Sequence, residues 1–214
     1  AAWPMRNVMK LILEGLRLRK GYNRLVDGLD LVLAPGEALS LSGENGVGKT
    51  TLLRAVAGFS PPEAGTIRFE RDGAALEAEA AQARMIHYLG HQDAASPART
   101  VAQELRFQAD WLGGDTSGIG ALRLEPLLDL ETRYLSAGQK RRLSCARLLM
   151  AKRPLWLLDE PMAPLDAAHR DLLAGLMQAH LAQGGSIIAA VHDPLPFATR
   201  GLRLIRPVPE AARA

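Results

Sequence analysis

The chain has 214 residues, 48% of them apolar, with a formal net charge of +3 and one cysteine. That size suits one domain with an ample core. So mild a charge does not supply the clustered basic face that nucleic-acid binding needs, and no nucleic acid is expected as a partner. Cys145 alone forms no internal disulfide, which suits a reducing compartment. It falls in a helical pattern and reads as a small buried apolar residue. No segment approaches the ~20 apolar residues that cross a bilayer. Near the start, Arg6 and Lys10 precede three apolar residues, but Glu14 ends that stretch too early for a secretory signal. The sequence therefore predicts a cytoplasmic protein.

Residues 16–18 and 29–33 are short alternating or apolar runs with polar turns between them, and predict strands of a small antiparallel sheet. Pro35-Gly36-Glu37 reads as a turn. Residues 38–41 predict a buried strand running into a glycine-rich loop, and 49–57 the helix after it, stopped at Gly58. Residues 66–70 alternate as a strand, and Asp72-Gly73 turns the chain. Residues 74–83, rich in Ala and Glu, fit a helix or a loop, and 85–89 predict a further strand. Thr100 with Gln103 makes a capping-box pattern before a helix over 105–112. Residues 113–120 form a Gly/Ser-rich connection. Ser136 with Gln139 is a second capping box, opening a helix to about Lys152 that Pro154 ends. Residues 155–158 are a fully apolar strand, as in a parallel sheet. Asp166 is placed to cap a helix over 167–183, closed by Gly184, and 186–191 predict the next core strand. The residues from Pro207 to the end read as a tail. Apolar strands alternating with helices argue an α/β fold.

Three places carry chemistry. The run Gly43-Glu44-Asn45-Gly46-Val47-Gly48-Lys49-Thr50, followed by Thr51, fits the phosphate-loop pattern G-x-x-x-x-G-K-[ST] between a strand and a helix. Glycines let backbone N–H groups turn toward phosphates, and the helix N-terminus adds favourable dipole charge. Lys49 is placed for the β- and γ-phosphates and Thr50 for Mg²⁺. Asp159-Glu160 follows four apolar residues, at the carboxyl end of a strand, where a parallel sheet faces its ligand crevice. Ser136 and the N–H of Gly138 open a helix and suit an anion by the same helix-end physics. An ordinary capping box is the competing reading for that segment.

The run Leu135-Ser136-Ala137-Gly138-Gln139 resembles LSGGQ, the signature of the ABC ATPases, with Ala137 at its third position. With the phosphate loop and the acidic pair in the family's order, the chain resembles that family over residues 12–206, as a single domain before the tail 207–214. The resemblance implies a P-loop NTPase fold of the ABC type. Such a fold has a central mostly parallel sheet, an N-terminal antiparallel β-subdomain and a helical subdomain, here about 93–150. It implies an ATPase using ATP and Mg²⁺, with Asp159 holding the metal through water and Glu160 polarising the attacking water. His192 takes the place of the residue that contacts the γ-phosphate. Gln92 takes that of the residue that senses the metal and couples to a membrane partner, whereas His91 beside it reads as a surface residue. Ser136, Gly138 and Gln139 would meet ATP held by the Lys49 loop of a second copy, in a homodimer that ATP closes. Asp166 belongs to a loop, Ala163-Pro164-Leu165-Asp166, with nucleotide contacts in the family, and serves equally well as a helix cap. Tyr22 is the candidate to stack on adenine, although by spacing Arg19 or Lys20 also fits that place.

Within the family, four stretches look most like the ATPase subunits of cytochrome c maturation haem exporters. They are 88–92, 135–147 with Arg141-Arg142, 154–161, and 182–185. That implies a separate polytopic, CcmB-like membrane subunit and a peripheral place on the cytoplasmic face of the bacterial inner membrane. Another exporter with a different cargo is the alternative. A DNA-repair ATPase of this family needs a long coiled coil between Thr50 and Gln139, and a translation-associated one carries two cassettes; this chain has neither.

Overall fold

In the computed structural model, which describes residues 8–207, strands β1 (Lys10–Lys20) and β2 (Asn23–Leu33) pair as a long antiparallel hairpin. Arg6 and the tail beyond Pro207 lie outside the described residues. Next come β3 (Ala38–Ser42), α1 (Lys49–Val56), β4 (Ala64–Arg71), β5 (Ala74–Leu76), α2 (Ala78–Met85) and β6 (Ile86–Leu89). Helices α3 (Val101–Leu112), α4 (Ala137–Cys145) and α5 (Arg147–Met150) follow, and then β7 (Leu155–Asp159), α6 (Ala167–Ala182), β8 (Ser186–Ala190) and β9 (Arg200–Arg203). The order β2-β1-β4-β5 makes an antiparallel sheet and β6-β7-β8-β3-β9 a parallel one. Structure and sequence agree on the α/β class, with its antiparallel sheet at the N-terminus.

Strand alternation builds two cores from one sheet. On β7, Leu155 and Leu157 point into the core shared with α1 and the antiparallel sheet, while Trp156 and Leu158 enter the core under α3 to α6. On β8, Ile188 and Ala190 take the first side and Ile187 and Ala189 the second. Every residue of β7 and β8 is buried, so neither face of these strands has room for a polar side chain until the strand ends. Cys145 is buried in the second core, where burial pushes its thiol up to about 12. His180 stacks on Trp156 at 3.9 Å and 10°, and burial lowers its pKa to about 4. His87, with Nε2 2.8 Å from the Ala151 carbonyl, is held down to about 3, again chiefly by burial.

Several expectations change in detail. β1 is one long strand and not a short run at 16–18, because a bulge at Glu14-Gly15 interrupts its alternation without ending it. The undecided stretch 74–83 divides into β5 and the start of α2, and Met85 ends that helix instead of opening β6. The helix from Ser136 breaks at Ala146, whose N–H bonds the Leu143 carbonyl in a tighter i−3 turn at 3.1 Å. At Asp72-Gly73 both φ values are positive, 51° and 80°, as a two-residue hairpin of the I′ kind requires. The edge strand β6 is covered by side chains. Arg153 donates to the Ile86 carbonyl at 2.7 Å and Arg147 to the Tyr88 carbonyl at 3.4 Å. Among the described residues no helix is long and apolar enough to cross a membrane.

Candidate functional site

Strands β3, β7 and β8 are parallel, and β8 lies between the other two, so their carboxyl ends meet along one crevice. From β3 the chain turns through 43–48 into α1. Gly43 at φ +136° and Gly48 at φ +122° adopt backbone that L side chains rarely enter. A Cβ on Gly43 would stand 2.6 Å from the Leu204 carbonyl, and one on Gly48 3.0 Å from Leu25 Cβ. The loop is thus clamped between the stretch after β9 and the β1–β2 hairpin. No side chain caps α1 and no acid lies in its first turn, so its N-terminal amides face a site of positive potential. Lys49 is buried and curls back over the loop, donating to the carbonyls of Gly43 at 2.7 Å and Glu44 at 3.4 Å.

At the end of β7, buried Asp159 accepts a hydrogen bond from Thr50 Oγ1 at 2.8 Å. Glu160 follows in the left-handed region at φ 49°, with its N–H donated to the Ala190 carbonyl of β8 at 3.0 Å. Its Oε1 lies 3.3 Å from Nε2 of His192, which leaves the end of β8. Loop, acidic pair and His192 line one cleft of about 260 Å³, with Glu44, Asn45, Gly46 and Thr51 in its wall. The arrangement offers backbone donors and an ammonium for an anion, and a carboxylate–imidazole pair for a proton-bearing group beside it.

The remaining candidates lie differently. Ser136 caps α4 and is exposed, accepting from Gln139 N–H at 3.3 Å while Gln139 Oε1 accepts from Ser136 N–H at 2.8 Å. Ser136, Gly138 and Gln139 do not line the cleft. Ala137 is exposed, whereas a Cβ on Gly138 would stand 2.9 Å from the Pro164 carbonyl. The smaller residue is therefore required at 138 and not at 137. Asp166 caps α6, accepting from the backbone and ring of His169, and these bonds hold its carboxyl below the usual range. Tyr22 is fully exposed at the β1–β2 turn and lines no part of the cleft, which Lys20 and Leu25 overhang instead. Gln92 is exposed just outside it, and His91, read from sequence as a surface residue, is the one that lines it. Their position after β6, beside β7, was the available signal. Sequence reasoning noted Arg141 only for the resemblance and gave it no part in the site, yet its buried guanidinium reaches the backbone of Asp159 and Glu160.

The ABC transporter family model matches residues 26–163. Two curated relatives bear the name cytochrome c biogenesis ATP-binding export protein CcmA. The one from Rhodopseudomonas palustris (strain HaA2) is 48% identical over 200 residues, covering 92% of this chain and 98% of the relative. The one from Nitrobacter winogradskyi is 45% identical over 200 residues, with the same coverage of 92% and 98%. Among solved structures, an ABC transporter ATP-binding protein from Pyrococcus furiosus superposes with a TM-score of 0.77 at 22% identity, over 91% of this chain and 97% of that one. A dimeric post-hydrolysis form of the cassette MJ0796, bound to ADP and Pi, gives 0.74 at 22% identity, over 91% and 94%. The structures share the fold; the sequence relatives and the family model go further, and on them the chain belongs to the ABC transporter family.

Proposed function

We propose that this chain is the ATP-hydrolysing subunit of a haem exporter for cytochrome c maturation, working as a homodimer that closes on ATP and drives a separate CcmB-like membrane subunit. The observation that carries the enzymatic part is the meeting of Lys49, the Thr50–Asp159 pair and the Glu160–His192 pair at three adjacent strand ends. The names of the two curated relatives support the rest.

The phosphates of ATP lie along the loop, where α1 amides and Lys49 take their charge. Thr50 and Asp159 fit Mg²⁺, which binds one or two protein oxygens beside phosphates and keeps several waters. When bound, the ion neutralises charge on the β- and γ-oxygens. Glu160 orients and polarises the attacking water, and His192 steadies Glu160 from the γ-phosphate side. Gln92, just outside the cleft, follows the state of the metal and the water. Catalysis is thus positioning and charge stabilisation, not covalent chemistry. Ser136, which is exposed, and the half-buried Gly138 and Gln139 lie outside their own cleft and are disposed to close on the ATP of a second copy. Asp166 stands near that same face, because its loop packs on Gly138 through Pro164. The adenine is met by the β1–β2 hairpin, with Tyr22 the aromatic on offer.

A second cleft, about 770 Å³, lies away from the nucleotide site. Trp111 is 81% exposed on its wall, beside Phe107 and Phe59. So much aromatic surface on one face marks an interaction site, and a cytoplasmic segment of the membrane subunit is its occupant. This would hold the chain peripherally on the inner membrane.

The test is complementation in a strain lacking this gene. Wild type should restore covalent c-type cytochromes, and Glu160→Gln should not, while b-type cytochromes persist throughout. Normal c-type cytochromes in the deletion strain would overturn the proposal.

A further inference from the structure

Arg141 is 1% exposed, and removing a guanidinium from water is strongly unfavourable unless it is fully bonded. Its partners explain how it is tolerated and define its place. Nη1 donates to the Gly90 carbonyl at 2.7 Å and to Asp93 Oδ1 at 3.1 Å, both on the loop that carries Gln92. Nη2 donates to the carbonyls of Asp159 at 2.5 Å and Glu160 at 2.7 Å, and Nε to that of Pro161 at 3.1 Å. One side chain on α4 therefore ties two loops that border the cleft. Four of its five acceptors are backbone carbonyls, so what it controls is chain path.

That matters most at Glu160. A non-glycine residue in the left-handed region is strained and persists only where its surroundings impose it. Here the N–H of Glu160 is pinned by β8, and its carbonyl is held chiefly by Arg141 at 2.7 Å; without the arginine only a longer contact from the Ala163 N–H, at 3.4 Å, would remain. Release of the carbonyl would let the residue relax to negative φ and swing its carboxylate away from His192. Lysine cannot substitute, since one ammonium cannot reproduce a planar fork that spans five acceptors in two loops.

We propose that Arg141 is the positioning residue for hydrolysis, holding Glu160 in its strained, water-facing conformation and fixing the Gln92 loop beside it. This rests on the role of Glu160 proposed above. The experiment compares wild type, Arg141→Lys, Asp93→Asn, Glu160→Gln and the double variant Arg141→Lys/Glu160→Gln. It measures affinity for a fluorescent ATP analogue and single-turnover hydrolysis. Arg141→Lys should bind within about threefold of wild type yet hydrolyse at least about tenfold more slowly, a loss in rate and not in affinity. In the double variant the rate should equal that of Glu160→Gln alone, because both changes act through one water. Should Arg141→Lys fail to fold, Asp93→Asn, which loosens the same guanidinium, should show a smaller loss of the same kind. Rates within twofold of wild type for both variants, a loss confined to affinity, or losses that multiply in the double variant would each overturn the proposal. Near-normal hydrolysis by Glu160→Gln alone would instead remove the role of Glu160 itself.

Discussion

Gly43→Ala is the most direct probe of how the loop is held. The substitution forces a side chain onto φ +136° and places a methyl carbon 2.6 Å from the Leu204 carbonyl and 3.0 Å from Val47 Cγ1. The backbone strain costs about 1–3 kcal/mol. Displacing a backbone carbonyl that belongs to the stretch after β9 costs about as much again. At roughly 2–4 °C per kcal/mol for a chain of this size, the midpoint of thermal unfolding should fall by roughly 5–20 °C. ATP affinity should fall at least about tenfold, because the loop amides turn away. Gly175→Ala is the matched control. Gly175 is exposed on α6 with nothing within 4 Å of an added Cβ, so alanine there should stabilise by about 0.4–1 kcal/mol. Scanning calorimetry with and without ATP measures both. A Gly43→Ala protein with wild-type midpoint and affinity would refute the reasoning.

The shared sites of the proposed dimer predict that Ser136→Arg and Lys49→Ala chains each dimerise poorly with ATP, yet partly recover when mixed; size-exclusion chromatography reads this, and no recovery would count against sharing. Acid should weaken the fold through His87 and His180. Burial lowers both pKa values, to about 3 and about 4, so the unfolded chain binds these protons first as pH falls. Their contribution is complete above the unfolded value near 6.5 and is lost below it, on the order of 1 kcal/mol per pH unit for each. Denaturant melts between pH 7 and pH 5 should show that slope, and a His87→Gln/His180→Gln protein should flatten it. Trp111→Glu should leave ATPase activity of the isolated chain unchanged but release the chain from membranes to the soluble fraction, which fractionation would measure.

Most of the parallel sheet was legible because its strands are uninterrupted apolar runs ending in chemistry. Residues 155–160 state both a doubly buried strand and a polar end. The phosphate loop and both capping boxes were equally readable, since each depends on local geometry alone. β9 was not, because Arg-Gly-Leu-Arg has a single apolar residue to pack and pairs only at the sheet edge. α2 was undecidable because it buries only Ala81. At the site, adjacency could be read along the chain but not across it. Arg141 is one of two consecutive arginines on α4; the other, Arg142, turns to the carbonyls of Leu122 and Arg123. Nothing in the sequence distinguishes the buried one from its neighbour. Spacing left Tyr22, Arg19 and Lys20 open for one place, and the overhang of Lys20 and Leu25 likewise depends on how the long hairpin curls over the loop.

The arginines along β6 bear on how a partner can bind. A sheet edge ordinarily invites a further strand, from a partner or from a misfolded copy, by offering unpaired carbonyls. On β6 the carbonyls of Ile86 and Tyr88 are already taken by Arg153 and Arg147, and those two side chains also wall the aromatic cleft. A segment entering that cleft therefore meets two edge carbonyls already engaged, which disfavours strand addition and favours recognition by side chains, as of a helix or compact turn. The same two arginines also hinder edge-to-edge pairing of cassettes along β6.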